Sequence, residues 1–371
     1  MQGSYKTAAA ILTATAVILA AVIPAFLEMS KPEPIKKGPN VTRVKMLSDY
    51  SPGLLGSPGD TEVYILDSGK PGGTAMVLGG THPNEPAGFL SAILLVENAR
   101  PTAGRLIVIP RANASAFAHT DYQEASPRRF SIKTPAGERW FRYGSRATSP
   151  THQWPDPDIY IHAASGQKLS GSETRNLNRA YPGSLTGNLT EQIAYAITQV
   201  IIAEKADLSI DLHEASPEYP VVNAIVAHDR AMPIAAEVAM NLGDAGIKIG
   251  LEPSPDKLRG LSHREWGDTT GTLAILMETA NPSQGRLRGV TDANLVLKGR
   301  DEMYYKAAKL GRLFVPFPEE GIPISERVAR HVAAIDELIR IYSLHTPQSP
   351  VTVDNIPGYR DIVTRGIGQF M

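Results

Sequence analysis

The stretch TAMVLGGTHPNEPAG (74–88) joins an apolar run to a polar turn and then to the start of a helical pattern over 86–99. A strand covered on both faces reads as an unbroken apolar run, and a helix entered from it through a short turn makes the repeating unit of an α/β fold. His82 and Glu85 lie in that turn, three residues apart. Both side chains can therefore reach one point beyond the strand's carboxyl end, where open α/β sheets collect their ligands. An H-x-x-E pair on its own is weak evidence for metal binding, because such pairs arise by chance and a strand-end histidine is often only a hydrogen-bonding residue.

The same alternation extends in both directions. Apolar runs predict strands over 61–67, 74–79, 105–110, 207–212, 221–227 and 272–278, and helical patterns predict helices over 86–99, 190–204, 230–242, 292–312 and 323–343. The fold class expected is α/β. Residues 114–170 break the rhythm with Arg128, Arg129, Lys133, Arg139, Arg142 and Arg146 interleaved with Phe130, Trp140, Phe141 and Tyr143. A segment of that length and composition reads either as a functional insertion for an acidic ligand or as a solvated loop. Residues 346–371 read as a tail or an added edge strand.

The chain has 371 residues, of which 42% are hydrophobic, so it can bury a full core. A formal net charge of −1 leaves no whole-chain field to gather nucleic acid, and no nucleic-acid partner is expected. The absence of cysteine excludes disulfides, thiolate metal sites and a cysteine nucleophile, which leaves any metal to histidines and carboxylates. Residues 7–26, TAAAILTATAVILAAVIPAF, carry no charge, with Lys6 before them and Lys31, Lys36 and Lys37 after. Twenty such residues can span a bilayer, and IPAF makes a poor cleavage site, so the segment reads as an N-terminal transmembrane anchor in preference to a cleaved signal. Residues 27–57, which include KPEPIKKGPN (31–40), read as a linker, and 58–345 as the main domain.

Three further elements carry chemistry. In SIDLHEA (209–215) an apolar strand runs into Asp211, His213 and Glu214; Pro217 excludes the helical H-E-x-x-H zinc motif, so His213 would serve a site completed elsewhere. Two histidines and one carboxylate with an open fourth position are a catalytic zinc set. TRNLNRAYPG (174–183) offers Asn178 and Arg179, an amide and a guanidinium fork suited to holding a carboxylate, with Arg175 as a second cation. TLAILMETANPSQGRLRG (272–289) ends an apolar strand in Glu278, where partial desolvation raises a carboxyl toward the range of a general base. The remaining histidines, His263 among them, have no comparable context.

The order H-x-x-E (His82, Glu85), N-x-N-R (Asn176, Asn178, Arg179), strand-end His213 and late strand-end Glu278 resembles the succinylglutamate desuccinylase/aspartoacylase group of the zinc carboxypeptidase superfamily, over residues 58–290. The resemblance implies a mixed, mostly parallel twisted sheet of about eight strands flanked by helices, zinc-carboxypeptidase-like. It implies one zinc per chain on His82, Glu85 and His213, Glu278 as base, and Asn178 with Arg179 holding a substrate carboxylate. The family's carbonyl-polarising arginine usually stands further ahead of the N-R pair than Arg175 does; Arg175, Arg111 or an arginine of the insertion are the candidates, and Arg175 is assigned. A closing tyrosine would have to be Tyr219, Tyr304, Tyr305 or Tyr359.

The resulting expectation is a membrane-anchored, extracytoplasmic zinc hydrolase that cleaves an amide bond beside a free carboxylate in an N-acyl amino acid or peptide. The rival is a non-catalytic module that captures carboxylate-ended peptides at the membrane. Retention of a base at Glu278 separates the two.

Overall fold

A computed structural model describes residues 2–121 and 126–371; residues 122–125 of the expected insertion lie outside the described residues. The chain divides into two units, one ending at Pro34 and one spanning Ile35–Met371. The first contains helix α1 (Gln2–Ser30). Its stretch Tyr5–Leu27 is long and apolar enough to cross a membrane, a property that a signal sequence shares.

The second unit contains β1 (Arg43–Met46), β2 (Glu62–Asp67), β3 (Thr74–Leu78), α2 (Pro86–Asn98), β4 (Arg100–Ala103), β5 (Arg105–Ile109), β6 (Arg129–Thr134), β7 (Gly137–Arg142), β8 (Ile159–Ile161) and β9 (Lys168–Ser170). Next come α3 (Leu189–Glu204), β10 (Leu208–Ala215), β11 (Ala224–Ala227), α4 (Met232–Asp244), β12 (Gly250–Pro253), α5 (Ser262–Thr269), β13 (Leu273–Ala280), α6 (Ala293–Lys298), α7 (Glu302–Lys309), α8 (Ile324–His345), β14 (Thr352–Asp354) and α9 (Tyr359–Arg365). Eight strands form one sheet in the order β1-β2-β5-β3-β10-β13-β11-β12. The centre, β5-β3-β10-β13, is parallel, while β1, β2 and β11 run antiparallel to a neighbour. This is the mixed, mostly parallel sheet between helices that the four motifs imply.

Alternation along the central strands divides the core into two. Ala75, Val77, Ile210 and Met277 point to the face covered by α2, α4 and α8, and Met76, Leu78, Ile107 and Ala274 point to the face covered by α3 and α5. Both faces are dry, which is why these strands read as continuous apolar runs. The ladder between β10 and β13 continues to the pair Ala215 and Ala280, past the ends predicted at 212 and 278, so β10 takes in His213 and pairs it with Glu278, which the predicted strand already held.

Several boundaries differ from the sequence reading. The stretch read as linker is folded from Ile35 onward: β1 pairs with β2, and Leu47 and Leu54 are fully buried in short helical turns that lack a strong periodic signal. Within 114–170, β6 pairs with β7 and β8 with β9. The expected helix 292–312 is two helices, because Asp301 accepts a hydrogen bond from the Tyr304 amide and caps a new start at α7. In 346–371, β14 pairs with β4, and Ile362 and Ile367 are buried beside the β6–β7 hairpin.

One ion pair ties α8 to the sheet. Arg327 donates to Glu214 Oε1 at 2.8 Å with both side chains fully buried, and it also donates to the Val296 carbonyl. The other oxygen of Glu214 accepts from the Ala87 amide at 2.8 Å, in the first turn of α2, where amides lack helical partners. Arg327→Met leaves this carboxylate uncompensated, and we expect a loss of about 3–5 kcal/mol in urea unfolding of the intact chain. Arg327→Met combined with Glu214→Gln recovers most of it. Equal losses in the single and double variants would show that the pair is not what holds α8 there.

Candidate metal centre

The turn after β3 is bent by Gly80, whose φ of +71° is the left-handed conformation that side chains avoid, and a Cβ there would meet the Pro110 carbonyl at 2.7 Å. The bend turns Thr81 and His82 inward over the carboxyl ends of the central strands. Glu85 precedes α2, and His213 stands near the end of β10. One ligand atom from each of His82, Glu85 and His213 lies within 4.8 Å of the others, and all three side chains are buried.

Hydrogen bonds fix how the two imidazoles present themselves. Asn176 donates its amide to Glu173 Oε2 and accepts the Asn178 N–H on Oδ1, which sets the orientation of its carboxamide. His82 Nε2, 2.9 Å from that Oδ1, therefore carries the hydrogen, and Nδ1 turns a lone pair inward. His213 Nε2 donates to Asp211 Oδ2 at 2.9 Å, and Asp211 is held in turn by the hydroxyls of Thr81 at 2.8 Å and Ser262 at 2.6 Å. Both Nδ1 atoms and both Glu85 oxygens then converge: His82 Nδ1 is 2.8 Å from Oε1, His213 Nδ1 is 3.0 Å from Oε2, and the two Nδ1 atoms are 3.1 Å apart. Two nitrogen lone pairs cannot face each other at that distance without a proton or a cation between them. Two imidazoles and a carboxylate, each backed by an outer hydrogen bond, can hold a metal ion.

The charges agree. Burial and the Arg146 guanidinium push His82 down to about 4, so it is neutral. Burial would also lower His213, but the carboxylates of Asp211 and Glu85 outweigh it and raise it well above its ordinary value. Burial would raise Glu85, and the two histidines overcome that and keep it ionised. The cluster thus holds one proton, on His213, which a cation has to displace.

A cleft of about 600 Å³ opens from this cluster. Asn178 and Arg179 line it: the Asn178 Oδ1 accepts the Ser262 N–H at 2.8 Å, and Arg179 donates to the Asn178 carbonyl at 2.7 Å. Burial, with Arg146 next, presses the Arg179 guanidinium below its ordinary pKa, so an anion between the two is favoured. Glu278 also lines the cleft, and its Oε2 has no hydrogen-bond partner. Burial, reinforced by Glu85 and opposed by His213 and Arg146, pushes Glu278 up to about 8.

Arg175, assigned from sequence to the carbonyl, is not in this cleft. It makes a two-point ion pair with Asp156 at 2.7 and 2.8 Å and donates to the Thr148 carbonyl. Arg111 pairs with Glu62. Arg146, from the insertion, reaches the cluster instead, 3.1 Å from Glu85 Oε1, with its side chain 44% exposed toward the cleft. The approach is built by Gly144, where a Cβ would lie 2.4 Å from the Pro83 ring, so the chain leaving β7 packs on the turn that carries His82. Of the tyrosines, Tyr219 lines the cleft and Tyr304 is tied to Glu218 at 2.7 Å. Sequence reading gave no role to Asp211 or His263; the spacing of two between Asp211 and His213 on a strand, which puts them on one face, was the available signal for the first.

Comparison by sequence finds no matching family model and no matching curated protein. By structure the chain is similar to a succinylglutamate desuccinylase from Silicibacter sp. (18% identity, 61% of this chain and 55% of that one, TM-score 0.38). It is also similar to product-bound ectoine utilization protein EutE (DoeB) from Ruegeria pomeroyi (19%, 61% and 55%, TM-score 0.38). A third is tripeptide-bound cell shape determinant Csd4 from Helicobacter pylori (11%, 79% and 56%, TM-score 0.45). The chain spans about half the length of each. These neighbours include the family that the four sequence motifs resemble.

Metal binding should release about one proton at neutral pH, because His213 starts protonated, and affinity should rise with pH. Calorimetry in two buffers of different ionisation heat measures that proton. Asp211→Asn is expected to weaken metal binding by roughly 10- to 100-fold in chelator competition, through loss of the negative charge that orients His213 and strengthens it as a ligand. Unchanged affinity in Asp211→Asn and in His213→Ala would place the metal elsewhere.

Proposed function

We propose that the chain is a zinc-dependent hydrolase that cleaves an amide bond beside a free carboxylate, in a peptide or an N-acyl amino acid. The observation that carries this reading is Glu278: a carboxyl with a free oxygen and a raised pKa, in the same cleft as a buried His82–Glu85–His213 cluster. A capture module has no use for a base held in that state. Two nitrogens and one carboxylate oxygen are a donor set that suits zinc, which when bound supplies a Lewis acid to the reacting carbonyl and water.

The chain's own residues divide the remaining work. Arg179 and Asn178 hold the substrate carboxylate, a fork and an amide on the cleft wall. Arg146, at the rim and facing Glu85, takes the developing negative charge on the carbonyl oxygen. Glu278 accepts a proton from the attacking water as its oxygen bonds to the carbonyl carbon, and returns that proton to the leaving nitrogen as the C–N bond breaks. The products are a carboxylic acid and an amine, and Glu278 ends as it began. With residues 7–26 as an anchor, the hydrolytic unit would work outside the cytoplasm, and peptides, those of the cell wall included, are the substrates we favour.

Glu278→Gln keeps size and shape but accepts no proton, so kcat should fall by about 10²–10⁴-fold with zinc content retained. The parent's kcat/KM should rise with pH as Glu278 ionises, with a midpoint at or below 8 because a bound cation pulls the carboxyl down. That limb should vanish in Glu278→Gln. Arg179→Lys should chiefly raise KM, since a point charge replaces a fork. Full turnover in Glu278→Gln would sink the mechanism, and a parent that binds carboxylate-ended peptides without ever releasing product would favour capture.

Topology is checked separately. A C-terminal alkaline phosphatase fusion should be active and a green fluorescent protein fusion dark if the hydrolytic unit is exported. The opposite pattern would place it in the cytoplasm.

A further inference from the structure

The structure assigns a second recognition task to the inner end of the cleft: His263 reads a neutral, hydrogen-bonding head group on the side chain of the substrate residue that bears the free carboxylate. This rests on the proposed function, since it takes the cleft to hold a carboxylate-ended substrate.

The wall leading to His263 is apolar. On β13, Leu276 lies two residues before Glu278, so the two share a face, with Leu276 one pleat, about 7 Å, further from the carboxyl end. On the neighbouring strand Val226 pairs with Leu276 and faces the same way, and Leu261 closes the wall from the chain entering α5. All three line the cleft and are at most 6% exposed. A side chain running inward from a carboxylate on Arg179 meets no polar group on these residues.

His263, two residues after Leu261 in the first turn of α5, adjoins this wall. It lines the cleft, is 3% exposed, and neither Nδ1 nor Nε2 has a hydrogen-bond partner. Two unpaired ring nitrogens are costly to bury, and His228, at 6% exposed and close by, does make such bonds, to Asp268 and to the Arg230 amide. Burial pushes His263 down to about 3, so it presents one N–H and one lone pair and no charge. A group that donates and accepts at once, a carboxamide foremost, satisfies both. An apolar isostere satisfies neither and leaves the pair desolvated, which is the condition under which polar sites discriminate most.

The test uses the zinc-loaded full chain in detergent, in a Glu278→Gln background that stops turnover. Calorimetry compares N-acetylglutamine with N-acetylhomoleucine, its apolar isostere. We expect glutamine to bind about 10- to 100-fold more tightly, His263→Phe to abolish that preference, and His263→Gln to retain it in part. If His263→Phe fails to hold zinc, His263→Met against His263→Gln makes the same comparison at matched length. A preference that is absent in the parent, persists in His263→Phe or Met, or cannot be measured because neither ligand binds below about 10 mM, overturns the assignment. Hydrolysis of both ligands by the Glu278 parent is followed in parallel: loss of hydrolysis with the binding preference intact refutes the proposed reaction and leaves the role of His263 standing.

Discussion

The register between β10 and β13 is the constraint from which the site follows. In a parallel ladder, paired residues point to the same face, and the pairing of His213 with Glu278 sets an imidazole beside a carboxyl on the α5 side of the sheet. A slip of one residue would turn Glu278 into the opposite core, beside Val77 and Ile210 of the neighbouring strands, and bring Met277 to the cleft. The apolar stretches of both strands are what forbid the slip. Leu208, Ile210, Leu212, Ile275 and Met277 are packed in the core on one face and Ala274 in the core on the other, so a slip would cost the packing on both sides.

That support matters because the site concentrates charge that does not favour folding. Glu85, Asp211, Glu214 and Glu278 crowd the carboxyl ends of three strands, and burial opposes the ionised form of each. Three of them have a specific answer: histidines for Glu85, His213 with two hydroxyls for Asp211, and Arg327 with the α2 amide for Glu214. Only Glu278 is left with a bare oxygen, and it is also the one whose pKa is displaced into the neutral range. The four carboxyls are thus sorted by their surroundings into one that faces two imidazoles, one that orients a histidine, one that braces α8 and one left with a free oxygen.

What could be read from the sequence was what depends on local pattern. Strands β3, β5, β10 and β13 are apolar because both faces are covered, and they announced themselves; the turn chemistry at 79–85 and the polar ends of β10 and β13 followed from their position. The converse also holds. Residues 35–57 hide their packing in turns and one short strand, with Val41, Leu47 and Leu54 as buried apolar anchors, and proline and lysine disguised them as tether. Arg175 and Arg146 could not be distinguished by spacing, since what separates them is Asp156, a partner 19 residues away that captures the first, and a close approach at Gly144 that delivers the second. His263 had no signal at all: its interest lies in bonds it does not make, and a missing bond has no motif.

The β6–β7 hairpin that ends in this delivery has its apolar side, Phe130, Ile132 and Phe141, packed in one cluster with Phe89 of α2, Val328 of α8, and Ile362 and Ile367. Nearby, the Asn98 amide at the end of α2 donates to the Phe370 carbonyl at 2.8 Å. Ile367 follows Arg142 by 225 positions (367 − 142), so the hairpin's seat is completed by some of the longest-range contacts in the chain, which carry the largest loop-closure cost and form late. During synthesis the turn that bears His82 and Glu85 emerges from the ribosome long before that seat exists. A nascent chain therefore lacks one side of the apolar cluster under the β6–β7 hairpin until the segment around Ile367 has been made, well after His82 and Glu85.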